Sequence, residues 1–132
     1  DLSIYLIKKM HKICFEGSKS FAGQIRKVEV VITNSRGEIM HRGVSVPQLH
    51  SALEDMVSWY KKNKKKFKPL VLAAIIHNQF EYIHPFQDGN GRVGRLLLNF
   101  VLLKYKYPPL NIALGAAWLA EPSRIERSEI RR

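Results

Sequence analysis

Twelve consecutive residues, His84-Pro85-Phe86-Gln87-Asp88-Gly89-Asn90-Gly91-Arg92-Val93-Gly94-Arg95, place an imidazole, a carboxylate, a primary amide and two guanidinium groups close together. Pro85, Gly89 and Gly91 keep the first half out of regular helix. The apolar run from Val93 to Leu103 then predicts a helix packed on every side. The loop therefore falls at that helix's N-terminus, where unpaired N–H groups and the positive end of the macrodipole face outward. Gly89 and Gly91 let main chain approach a phosphate closely. Arg92 and Arg95, three apart on one side of the helix, add two positive forks. Asp88 amid this positive potential suits a hard divalent cation, Mg²⁺, shared with phosphate oxygens. His84 is the group able to take a proton near neutral pH. Singly, each residue has a structural reading as a turn glycine, a cap or a satisfied polar group. The combination points to nucleophilic displacement at phosphorus.

At every fixed position these residues resemble the signature His-Pro-Phe-x-(Asp/Glu)-Gly-Asn-Gly-Arg-x-x-Arg of the Fic (filamentation induced by cAMP) family. Phe21-Ala22-Gly23-Gln24-Ile25-Arg26 is similar to the family's Gly-x-x-Arg lead-in to the core, and the segment from Ala73 to Ile83 resembles the helix before its catalytic loop. The resemblance covers about residues 10 to 110 and is weak at Ser123 to Arg127. It implies a mostly α fold, a helical bundle around a buried central helix with one β-hairpin, the flap. It also implies transfer of AMP from ATP to a Ser, Thr or Tyr hydroxyl of a target protein, with release of pyrophosphate. In that chemistry His84 is the base and Asp88 holds Mg²⁺ at the α and β phosphates. Asn90 and the Gly89 to Gly91 amides face the phosphate oxygens, and Arg92 and Arg95 face the β and γ phosphates. The flap would receive an extended target segment as an added strand, with Ile39, Met40 and His41 nominated for contact.

The resemblance leaves other transfers through the same loop open: another nucleotide, a phosphoryl group, or removal of AMP. The phosphorylating branch of the family has a degenerate glycine pattern, whereas Gly89, Asn90 and Gly91 are intact here. Many family members are silenced by a helix bearing (Ser/Thr)-x-x-x-Glu-(Gly/Asn), whose Glu pairs with the residue matching Arg95. Glu16-Gly17 comes nearest to it, but Lys12 stands where a hydroxyl is needed.

A length of 132 residues, 45% hydrophobic, predicts a single domain, 1–132, with a modest core. The chain opens without Met and as if mid-helix, the mark of a fragment of a longer protein. No apolar run approaches 18 residues, so no membrane segment is expected. A lone Cys14, read as a small buried apolar side chain, excludes an internal disulfide and fits a reducing, cytoplasmic setting. The net charge of +11 permits a nucleic-acid, acidic-protein or nucleotide partner without choosing among them. Much of it lies in the lysines from Lys61 to Lys68, read as a solvated helix end. A nucleic-acid module needs a basic stripe with stacking aromatics, whereas Trp59, Tyr60 and Phe67 fall at helical core spacing. The oligomeric state is left open, a homo-oligomer included.

In chain order, an amphipathic helix is expected from Leu2 to Phe15, then a turn to Ala22. Val28 to Thr33 reads as a strand, Asn34 to Gly37 as a turn, and Glu38 to Val46 as the return strand. Ser45 is a plausible cap and Pro47 a first position for a helix burying Leu49, Leu53, Val57 and Tyr60. Pro69 starts a further helix whose residues Leu70 to Ile76 look too apolar for a surface. His77 on it reads as a satisfied core histidine. Tyr82, Ile83 and Phe86 are expected to anchor the loop by packing. Tyr107-Pro108-Pro109 stops the central helix, and Asn111 to Leu119 offers another.

Overall fold

The computed structural model describes residues 1–17 and 19–111. The helix expected over Asn111 to Leu119 falls, apart from Asn111, outside the described residues, as does the Ser123 to Arg127 segment. The architecture is mostly helical with one two-stranded antiparallel hairpin.

Helix α1 (Ile4–Cys14) starts at Ser3, whose Oγ accepts the Leu6 N–H at 3.1 Å, the expected side-chain cap. The hairpin pairs β1 (Val31–Thr33) with β2 (Ile39–Arg42), and a register shift between Ile32 and Thr33 breaks the ladder. Both strands are shorter than expected, and among the described residues the ladder has no third strand to extend it. Asn34 closes the turn: its Oδ1 accepts the N–H groups of Arg36 at 2.9 Å and Glu38 at 3.0 Å.

A 3₁₀ turn (Val46–Gln48) containing Pro47 leads into α2 (Leu49–Asn63). Ser45 makes no side-chain cap bond. The carboxylate of Glu29 does that work from across the chain, accepting the Val46 N–H at 2.9 Å. Leu49, Leu53, Val57 and Tyr60 are buried as their spacing predicts, joined by Met56. The lysines after α2 are mainly exposed. Lys64 is anchored, and with Lys104 it grips the two oxygens of Asp1 at 2.7 and 2.8 Å.

Helix α3 (Pro69–Ile83) and helix α4 (Asn90–Lys104) pack along one another, with α1 against α4 and α2 against α3. The core lies where they meet: Leu72, Ile76 and Phe80 of α3, Val93, Leu97 and Val101 of α4, and Ile7 of α1 are all shielded from solvent. Two expectations are corrected here. Leu70 and Val71 on α3 are exposed at 53% and 44%, and Leu96 and Leu103 on α4 at 42% and 56%. Each helix buries one broad face rather than its whole circumference, because four helices of this length enclose only one interior. Among the described residues no helix is long and apolar enough to cross a membrane.

Candidate active site

The loop between α3 and α4 is held from both ends. Helix α3 stops at Ile83 because His84 turns into the left-handed region, φ 52° and ψ 61°. A side chain with a Cβ adopts this conformation at a cost of about 1–2 kcal/mol, so the surroundings must impose it. Arg26 imposes it. Its guanidinium is buried and donates from Nε to the His84 carbonyl at 2.7 Å, from Nη1 to Val28 O at 2.9 Å, and from Nη2 to Val44 O and Ile83 O. Its own N–H bonds to Pro85 O at 3.0 Å. Burial pulls the Arg26 pKa below its usual value and the nearby Glu29 opposes this. The guanidinium remains charged at neutral pH.

The second half is pinned by His11 and Asn90. His11 is buried on α1 and stacks on Phe86 with ring centroids 3.9 Å apart and planes at 8°. Gly23 N–H donates to its Nδ1 at 2.8 Å, which places the ring proton on Nε2, and that atom donates to Asp88 O at 2.8 Å. Asn90 closes a ring with Phe86: its Oδ1 accepts Phe86 N–H at 2.9 Å and its Nδ2 donates to Phe86 O at 2.7 Å. The Asn90 side chain is thus engaged in shaping the loop, and its main-chain N–H is what it offers an anion.

Gly89 begins α4 at φ 85°, and a methyl group there would run into the Phe15 ring. The first intrahelical bond is Val93 N–H to Gly89 O at 3.0 Å, so the N–H groups of Asn90, Gly91 and Arg92 point forward without helical partners. Arg92 lies over the Phe15 ring, 5.4 Å from its centroid. Arg95 folds back along the helix, its Nη1 within 3.5 Å of where a Gly91 side chain would start. These are the elements of an anion cradle: three free amides, the positive end of α4 and two guanidinium groups.

His84 is half-buried, and its Nδ1 is shielded with no well-formed hydrogen bond. Burial holds its pKa below the usual imidazole value, and the charges of Arg26 and His41 act in the same direction. The Glu81 carbonyl, after burial the largest influence, opposes them. The ring is therefore neutral at pH 7, as a base must be. Asp88 is exposed, and its Oδ1 accepts the Gly89 N–H at 2.7 Å. Among the described residues no three His, Cys, Asp or Glu side chains converge on a metal position. Cys14 is half-buried rather than fully buried; burial raises its pKa, against the pull of Arg92 and Arg95.

The hairpin meets the site at the end of α3. His41 Nε2 lies 2.7 Å from Tyr82 O and its ring packs on Tyr82 at 4.7 Å, while Val44 N–H donates to Ile83 O at 3.1 Å. His41 is thus engaged with its own chain, leaving Ile39 and Met40 as the exposed part of the nominated trio. Tyr82 is 56% exposed and so does not anchor the loop by burial; Ile83 and Phe86 do. His77 is the core histidine its setting suggested, Nδ1 donating to Gly94 O at 2.9 Å, with burial lowering its pKa. Sequence reasoning missed His11, whose signal was a polar residue on the buried stripe of α1, and Glu81, the one acid of α3.

Fold and loop together define a mostly helical domain with an anion cradle at the N-terminus of α4. The Fic/DOC family model matches residues 1–102, and the chain belongs to that family. It is 32% identical over 112 residues to protein adenylyltransferase fic-1 of Caenorhabditis elegans, covering 83% of this chain and 21% of that protein. It is 33% identical over 92 residues to protein adenylyltransferase Fic of Nematostella vectensis, covering 69% and 20%. The chain thus spans about a fifth of the length of these relatives. Its structure is similar to a Fic domain containing signaling protein from Bacteroides thetaiotaomicron, with a TM-score of 0.75 and 30% identity over 84% of this chain and 42% of that one. It is also similar to C. elegans Fic-1, with a TM-score of 0.69 and 33% identity over 83% and 31%.

Proposed function

We propose that this domain is a protein adenylyltransferase that moves AMP from ATP onto a hydroxyl side chain of a target protein. The observation that carries the reading is a neutral, half-buried His84 fixed beside a helix N-terminus with three forward-facing amides and two arginines. The names of the relatives at 32% and 33% identity support it.

The target hydroxyl oxygen attacks the α phosphorus, the bond to the bridging oxygen breaks, and pyrophosphate leaves. His84 receives the hydroxyl proton, and because Nδ1 faces the interior, Nε2 is the atom available to take it. The forward-facing amides of Asn90, Gly91 and Arg92 stabilise charge on the phosphate oxygens, and Arg92 and Arg95 stabilise the departing pyrophosphate. Asp88 is the residue that would hold Mg²⁺. A single exposed carboxylate with no converging partners fits an ion that keeps most of its ligands as water and phosphate oxygen. Bound there, Mg²⁺ would neutralise charge on the phosphates. On the hairpin, Ile39 and Met40 would meet the target segment.

The test uses α-labelled and, separately, γ-labelled ATP with cell lysate. Label is expected to pass to protein from α-labelled ATP only. His84→Ala should reduce that transfer by about 10²- to 10⁴-fold while ATP affinity stays within a few-fold. Undiminished transfer, or transfer from γ-labelled ATP, would overturn the assignment.

A further inference from the structure

Between α2 and α3, beside the root of the hairpin, lies a cleft of about 460 Å³ in which the transfer chemistry places no group. Its size is that of a ligand cleft rather than a packing defect. The walls include Asp55 and Trp59 of α2, Ile75, Gln79 and Tyr82 of α3, and Val44, two residues beyond β2. Two of these tie the cleft to the active site. The Tyr82 ring packs on His41 at 4.7 Å, and Val44 N–H donates at 3.1 Å to the carbonyl of Ile83, the residue before His84. The cleft therefore begins where the hairpin edge bearing Ile39 and Met40 ends. Asp55 is the one carboxylate in a lining that holds no cation. It is exposed, and among the described residues it has no hydrogen bond or ion pair, whereas its neighbour Glu54 meets the His50 ring at 3.1 Å. On a chain of net charge +11, this is a place where the local charge opposes the overall one.

We propose that this cleft is a recognition site for the target protein and takes an arginine or lysine side chain that lies a few residues from the modified hydroxyl. The aliphatic stem packs along Val44 and Ile75, the Trp59 and Tyr82 rings attract the cation, and Asp55 supplies its counter-charge. Phe67 backs the Trp59 ring with centroids 5.6 Å apart, so that wall is steadied before any guest arrives. An acidic side chain is repelled by Asp55, and a purely apolar one leaves that carboxylate without a partner. A long stem ending in positive charge satisfies every part of the lining. The rest of this basic chain disfavours such a guest, so the preference is set locally, by one residue on α2.

The inference rests on the adenylyltransferase reading for the identity of its guest, and one arm of the experiment is independent of that reading. In the first arm, AMP-bearing sites on lysate proteins are mapped by mass spectrometry after incubation with ATP and either the intact chain or Asp55→Lys. Arg or Lys should exceed Asp or Glu about fivefold at one or two fixed positions beside the sites made by the intact chain, and Asp55→Lys should reverse the preference while binding ATP equally well. In the second arm, without ATP, nuclear magnetic resonance of the Trp59 indole N–H follows titration with two short peptides that differ only in carrying Arg or Glu. The Arg peptide should bind about fivefold more tightly to the intact chain, and the order should invert in Asp55→Lys. Sites with no basic preference, the same preference in both proteins, or equal affinity for the two peptides would overturn the role of the cleft. No AMP on any protein, with the Arg peptide still bound at Trp59, would overturn the adenylyltransferase reading and leave the cleft standing as a site for basic segments.

Discussion

The loop from His84 to Gly91 and the hairpin from Val31 to Arg42 both border the site, yet they are built in opposite ways. The loop is irregular backbone held by buried polar side chains: Arg26 on one end, His11 and Asn90 on the other. The hairpin is a strand pair, with one register shift and no buried residue in either strand, fastened through His41 to Tyr82 and through Val44 to Ile83. The chemistry proposed for the loop needs atoms fixed to fractions of an ångström, and an over-determined loop suits it. A surface that receives extended segments by strand addition needs only exposed edges and a fixed root.

The contrast is tested hardest at Arg26. Arg26→Ala removes a donor from four carbonyls, of which Ile83 O keeps the Val44 N–H, and frees His84 from its left-handed turn. A loss of about 3–5 kcal/mol is expected in denaturant unfolding, along with loss of transfer. Arg26→Lys should recover little of either, because one ammonium cannot reach the same set of carbonyls. Asn90→Ala comes next, at about 1–3 kcal/mol, since it orphans the Phe86 amide. If Asn90→Ala instead left stability unchanged and only weakened ATP binding, the side chain would be a ligand rather than a pin.

Glu81→Gln gives an effect on stability of similar size that appears only at high pH. The folded pKa of about 7 lies above the ordinary 4.5, so the folded state holds the proton more tightly. Native stability is fully favoured below 4.5 and declines as pH rises through 7. The variant should therefore gain on the parent at pH 8 by about 1–3 kcal/mol and match it near pH 5, as read by thermal unfolding at the two pH values. Smallest of all, Ile39→Ala and Met40→Ala should change stability by less than about 0.5 kcal/mol and leave ATP binding intact, while modification of a target protein falls. A drop of several kcal/mol would mean that the hairpin is part of the core after all.

The loop itself was legible because its residue types are adjacent in the chain, and the helices were legible because Leu49, Leu53, Val57 and Tyr60 repeat at helical spacing. What holds the loop was harder to see. Arg26 reaches His84 across 58 positions and His11 reaches Asp88 across 77, and no local pattern encodes such pairings. That the Asn90 side chain pins Phe86 was not legible beside its reading as a phosphate ligand, because an amide serves both purposes equally well. Glu29 displaced Ser45 as a cap for the same reason, a distant group taking a local role. Periodicity also overstated burial at Leu70, Val71, Leu96 and Leu103, since an apolar run gives no sign of which side the neighbouring helices occupy.

The ring that Asn90 forms with Phe86 also bears on the chemical ageing of the protein. Asn90-Gly91 is the dipeptide in which main-chain nitrogen most readily attacks the preceding side-chain amide, expelling ammonia and leaving aspartate or isoaspartate. That attack requires the Asn90 side chain to rotate toward the Gly91 nitrogen. Here both of its polar atoms are held by Phe86, and its backbone is already committed to the first turn of α4. The fold thus shields this dipeptide by using its side chain, so deamidation at Asn90 should be slower in the folded domain than in the unfolded chain.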